Sequence, residues 1–174
     1  MSRPEFSRLE RADTIGEGER SVRIAADAAE RAALARRFDL KSVDTLEAEF
    51  RLRRDAAGIT AHGHVRGAVV QACVVTDDPI PVTIDEPVAL RFVLDDAAGE
   101  DEVELNEDAL DTMVYDGAAV DLGEAAAETM ALALDPYPRG PNAAAALRAA
   151  GVISEEEARP LGALAGLKDK LAGN

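Results

Sequence analysis

The sequence predicts an α+β fold: a curled antiparallel β-meander, half-barrel-like, with helices packed on it. Three observations predict it. Residues 44–94 alternate apolar and polar side chains and are broken by short turns. The alternating stretches are long enough for sheet twist to curl them. Two further segments repeat apolar residues at helical spacing.

Residues 18–25 alternate and read as a short strand. Asp27 offers an N-cap and Glu30 completes a capping box, so a helix follows over 27–37 with Ala29, Ala33, Leu34 and Phe38 on one face. From Asp44 to Arg53, Leu46, Ala48, Phe50 and Leu52 point inward while Glu47, Glu49, Arg51 and Arg53 point outward, and Asp55 to Gly58 supplies a turn. The second arm runs from Ile59 toward Val75. Val65, Val69, Cys73 and Val75 share the parity of Ile59, and Gly63 and Gly67 allow bends. Thr76 to Pro79 is a second turn, and Ile80 to Leu94 a third strand with Ile84, Val88, Phe92 and Leu94 on one face. A second helix opens at Val120–Glu124, repeats Leu122, Ala126, Met130 and Leu134 at spacing four, and is ended by Pro136. The expected organisation is one domain over residues 1–140 and a loosely attached tail over 141–174 with short helices.

The chain has 174 residues, 47% of them hydrophobic, and a formal charge of -15. It is large enough for a single core and too acidic to hold nucleic acid over its whole surface. The charge is divided: residues 1–72 are near neutral, with 13 basic and 12 acidic side chains, whereas 73–174 carry 6 and 22. Residues 95–116 contain ten acidic side chains and no basic one, which reads either as a solvated loop or as a docking surface for a basic protein or a mimic of phosphate backbone. One cysteine allows neither an intramolecular disulfide nor a four-thiolate zinc site and fits a reducing compartment. With no secretory signal pattern at the start and no apolar run long enough to span a bilayer, the expectation is a cytoplasmic protein.

His62 and His64 would share one face of a strand, a geometry that can ligate zinc if Glu124 or Glu128 joined them; two exposed histidines are the simpler reading. A metal-dependent hydrolase is therefore the alternative to a binding protein, and a generic acidic adaptor is a third reading. Asp121 suits a helix N-terminus. Glu124 and Glu128, one turn apart, are either both solvated or share a cation from elsewhere in the fold. Cys73 falls on the apolar parity and reads as a core thiol. Asp135-Pro136-Tyr137-Pro138-Arg139 is the most distinctive segment. Either Tyr137 packs on the sheet and Arg139 pairs with Asp135, or the two are presented for recognition. No phosphate loop or nucleophile elbow occurs.

Val69-Val70-Gln71-Ala72-Cys73-Val74-Val75-Thr76-Asp77-Asp78-Pro79-Ile80, then Val120–Glu124, Glu128 and Leu132–Arg139, in that order, resemble the YceD family, the large ribosomal RNA subunit accumulation proteins. The resemblance covers roughly residues 15–140, and the tail from Arg159 to Lys168 is similar to one branch of the family. Many relatives carry C-x-x-C where this chain has Cys73 and Thr76, which argues against a metal or redox role. The resemblance implies a cytoplasmic, non-enzymatic factor in large-subunit assembly, with no cofactor and no catalytic residues. Its expected partners are large-subunit rRNA precursor, basic ribosomal protein, or both. The candidate binding residues are Arg51, Arg53 and Arg66 toward RNA, in an outward basic strip with Arg54, and also Tyr137, Arg139, Asp121, Glu124 and Glu128; oligomeric state is left open.

Overall fold

A computed structural model describes residues 4–94 and 110–153. The alternating stretches become three long antiparallel strands, β3 (Ser42–Asp55), β4 (Gly58–Ala72) and β5 (Pro79–Leu94). Before them come β1 (Leu9–Arg11), β2 (Arg20–Ala25) and helix α1 (Ala28–Arg37); after them β6 (Asp111–Tyr115), β7 (Ala119–Asp121) and helices α2 (Leu122–Leu132) and α3 (Ala143–Ala149). The main sheet runs β2-β3-β4-β5-β6, curled but open, and β1 pairs with β7 in a small second sheet. The α+β reading holds.

The parity of each strand places one face in the core. Leu46, Phe50 and Leu52 of β3, Ile59, Val65 and Val69 of β4, and Ile84 and Phe92 of β5 are buried on that face. Leu34 of α1 and Leu122, Ala126 and Met130 of α2 close over them, all fully buried. Each large apolar side chain so covered contributes about 1.5–3 kcal/mol before chain entropy is charged against it. Asp27 caps α1 through the expected capping box. Gly63 sits opposite Phe50, and a Cβ there would overlap the Glu49 carbonyl oxygen, so the glycine serves a close strand approach more than a bend.

Several expectations are corrected. β4 ends at Ala72, so Val75 lies in the turn: the Cys73 N–H donates to the Asp78 carbonyl (2.9 Å) and the Asp77 N–H to the Cys73 carbonyl (2.9 Å). Leu94 ends β5 47% exposed, and Ala29 of α1 faces solvent because the helix turns Leu34 and Ala35 inward. α2 begins at Leu122, two residues later than expected, and stops at Leu132, the residue whose carbonyl would need the N–H that Pro136 lacks. The acidic segment is not wholly a loop. Its end, Asp111–Tyr115, pairs parallel with β5 and buries Tyr115; residues 95–109 lie outside the described part. The strand β1 was not anticipated. In the expected tail, α3 buries Ala143, and the helix start at Ser154 falls outside the described residues. Among the described residues, no helix is long and apolar enough to cross a membrane.

Candidate binding site

The segments singled out in the sequence meet in space. Past the end of α2 the chain runs alongside the end of β4. There the buried Gln71 amide donates to the Asp135 carbonyl (2.9 Å), the Val74 N–H to the Pro138 carbonyl (2.9 Å), and the Gly140 N–H to the Cys73 sulfur (3.3 Å). The Asp135 carboxylate accepts from the Tyr137 N–H (2.8 Å). With two prolines fixing φ, these bonds hold the segment in one conformation. Neither packing expectation for its side chains holds: Tyr137 is 73% exposed, and Arg139 is exposed with no ion pair among the described residues. Asp135 is engaged by its own turn, so it does not pair with Arg139.

Between this segment and the β4–β5 turn lies a groove of about 770 Å³. Phe38, Leu40, Val74, Leu134, Pro136 and Pro138 supply its apolar surface, and Asp39, Asp77 and Asp135 are the charged residues that line it. Asp39 and Asp77 both have positive φ (52° and 59°), a conformation aspartate tolerates better than most residues. Lys41, just outside, pairs with Asp77 at 2.9 Å. Cys73, 3% exposed, is a core thiol as expected. Its pKa is lowered to about 7 by the neighbouring Thr76 side chain first and the Gly140 N–H second, against the opposing effect of burial. Asp78 is held by Thr76 (2.8 Å) and Asn142 (3.1 Å), which lowers its pKa and ties the turn to the start of α3.

A second surface is the outward face of the sheet. Arg51, Arg53 and Arg66 are all exposed there, as their parity requires. Arg51 lies 3.9 Å from Glu19 and Arg66 3.3 Å from Asp85, whereas Arg53 has no ion pair among the described residues. Arg23 of β2 adds a fourth guanidinium, held by Glu49 at 3.1 Å. Arg54, of opposite parity, instead donates to the Ala12 carbonyl (3.1 Å). His62 and His64 are exposed on this same outward face, His64 3.3 Å from Asp85. Glu124 and Glu128 belong to α2 on the other face, so they cannot complete a zinc site with the histidines. Among the described residues no cluster of three metal-ligating side chains occurs.

The remaining candidates have structural partners. Asp121 caps α2, accepting from the Gly123 N–H (3.0 Å) and Glu124 N–H (3.3 Å), and it also takes the Ser7 hydroxyl (2.6 Å) and the Arg8 N–H (2.8 Å). It therefore clasps the N-terminal segment to the helix. The cation beside the glutamate pair is Arg37, which binds Glu124 with both terminal nitrogens. Glu128 is exposed, its pKa raised by partial desolvation first and by the Glu124 charge second. Sequence reasoning missed Gln71, Arg37 and Asp39. A polar residue on an apolar parity was a usable signal for Gln71; the other two are brought in only by tertiary packing.

No curated protein and no solved structure matches this chain. The model of the YceD family, the large ribosomal RNA subunit accumulation protein, matches residues 61–168. That span takes in most of β4, all of β5 and α2, and the two segments that flank the groove, more than half of the sequence. Together with the ordered residues that meet at the groove, it establishes that the chain belongs to the YceD family.

Proposed function

We propose that this protein is a cytoplasmic, non-enzymatic binding factor in biogenesis of the large ribosomal subunit, and that its outward sheet face contacts pre-ribosomal RNA. The observation that carries the reading is membership of a family named for accumulation of the large ribosomal RNA subunit. Geometry supports the surface. Arg51, Arg53 and Arg66 stand on one face, away from α2 and its carboxylates, in the near-neutral part of the chain. Their ion pairs are exposed, and such pairs contribute about 0–1 kcal/mol each, so a phosphate can displace the carboxylate. Three phosphate contacts on single-stranded RNA give an affinity that falls with salt at a log–log slope of about -2. The test is crosslinking of tagged protein in lysate followed by a sucrose gradient. Association with large-subunit precursors, lost when Arg51, Arg53 and Arg66 are changed to glutamate, is the expected result; association unchanged in that variant removes the RNA contact. A basic ribosomal protein is the second reading, favoured by the carboxylates of the groove.

A further inference from the structure

We infer that the groove between the Cys73–Asp78 turn and the Asp135–Pro138 segment docks a short protein segment of apolar side chains flanked by lysine or arginine. The inference rests on the binding-factor reading above and names a partner for it.

Four observations carry it. The groove, about 770 Å³, lies within the range of recognition pockets, and its apolar surface, in which Val74 is 54% exposed, is continued outside by Tyr137. Exposed side chains of this size, adjoining an apolar cleft, suit burial against a partner, and tyrosine is favoured at such contacts. The wall is already ordered: the bonds of Gln71 to Asp135, Val74 to Pro138 and Gly140 to Cys73 fix it before any partner arrives, which lowers the ordering cost of association. Charge then selects the occupant. Among the described residues, Asp39, Asp77 and Asp135 line the groove and no basic side chain does; Lys41, paired with Asp77, and Arg139 lie outside the lining. Lysine or arginine flanking an apolar segment is attracted to that rim; a phosphate backbone is repelled by it. A second copy of this chain, at a net charge of -15, is a poor match for the same reason.

The test uses the full chain and a fluorescein-labelled amphipathic leucine–lysine peptide, followed by anisotropy, with a serine–lysine peptide of equal charge as control. The leucine peptide binds at least tenfold more tightly than the control. Val74→Asp, at an exposed position, weakens it about tenfold with an unchanged melting curve. Asp39→Asn with Asp77→Asn, which keeps residues tolerant of positive φ, weakens it several-fold and flattens its salt dependence. Glu47→Gln, which removes an exposed carboxylate outside the groove, leaves it unchanged. Equal binding of the two peptides, or binding indifferent to both groove variants, overturns the proposal. So does an oligouridine that binds the wild type and not the Val74→Asp protein, which would assign the groove to RNA, or self-association abolished by Val74→Asp, which would assign it to a second copy. Failure here with intact, arginine-dependent precursor association removes the groove and leaves the ribosomal reading standing; loss of both removes the reading itself.

Discussion

Arg37, in the last turn of α1, grips Glu124, in the first turn of α2, with Nη1–Oε2 and Nη2–Oε1 separations of 2.8 and 2.6 Å across 87 residues of sequence. The same guanidinium reaches Glu5 at 3.1 Å and lies over the Phe38 ring. One side chain thus joins the N-terminal segment and both helices that cover the sheet. The Glu124 carboxylate is also well placed near the positive end of α2.

Arg37→Met is therefore expected to lower stability by about 1–2 kcal/mol, because a two-pronged, partly buried charged contact exceeds an ordinary surface pair. Glu124→Gln costs less. A double-mutant cycle by urea denaturation gives a coupling of about 1 kcal/mol between them, and a coupling near zero would show the contact to be idle.

Glu128 behaves oppositely. Partial desolvation and the nearby Glu124 charge raise its carboxyl pKa in the folded protein, with Arg37 opposing. Ionisation then costs the folded state: the favourable contribution is full below the unfolded-state pKa and is lost as pH rises through the folded value. Glu128→Gln should stabilise the protein at pH 7 by about 0.3 kcal/mol, a small effect because the side chain is largely in water, and the gain should vanish below about pH 4. Paired melts at the two pH values check the sign.

The parts of the fold that rest on local pattern were legible. Strand parity set the inward face from Leu46 to Phe92, and the Asp27–Glu30 pair located a capping box that closes as expected. What escaped depends on partners remote in sequence. Leu9–Arg11 has no strand signal of its own and is a strand only because Val120 and its neighbours pair with it. Asp111–Tyr115 is hidden in an acidic run, and only its register beside β5 gives it structure. At the candidate site, the residues of each wall could be quoted in order, but that Gln71 reaches Asp135 is a tertiary fact with no local trace.

Gly63→Ala tests how tightly β3 and β4 are fitted. The added methyl has nowhere to go, since it meets backbone and not a movable side chain: the Glu49 carbonyl, and the Phe50 Cα at 3.1 Å. The strands must part or shift, and overpacking of this kind costs about 1–3 kcal/mol, against the usual gain of replacing a strand glycine. A lowered melting temperature is expected; an unchanged one would mean the register yields freely.

Asp121→Ala removes a helix cap and the anchor of Ser7 and Arg8 together, so it should cost about 2 kcal/mol, the upper end for caps, while Ser7→Ala, which deletes only the 2.6 Å hydroxyl bond, costs about 1. Chemical denaturation of both variants measures the difference. Equal losses would assign the whole effect to the N-terminal clasp.

Cys73 should titrate unlike an ordinary thiol. The Thr76 side chain beside its sulfur and the donating Gly140 N–H favour the thiolate and bring the pKa to about 7, although the residue is almost wholly covered. Because the folded value is depressed, the stabilisation is present above the ordinary thiol range and is lost as pH falls through about 7, so stability should climb with pH across that window. Thr76→Val keeps the shape and deletes the hydroxyl, and it should move the titration back toward the ordinary range. Ultraviolet thiolate absorbance against pH reads this directly, since the chain has a single cysteine. The result also bears on the groove. If Thr76→Val leaves the titration in place, the Gly140 N–H, which ties the wall to the sulfur, is the donor that depresses the thiol.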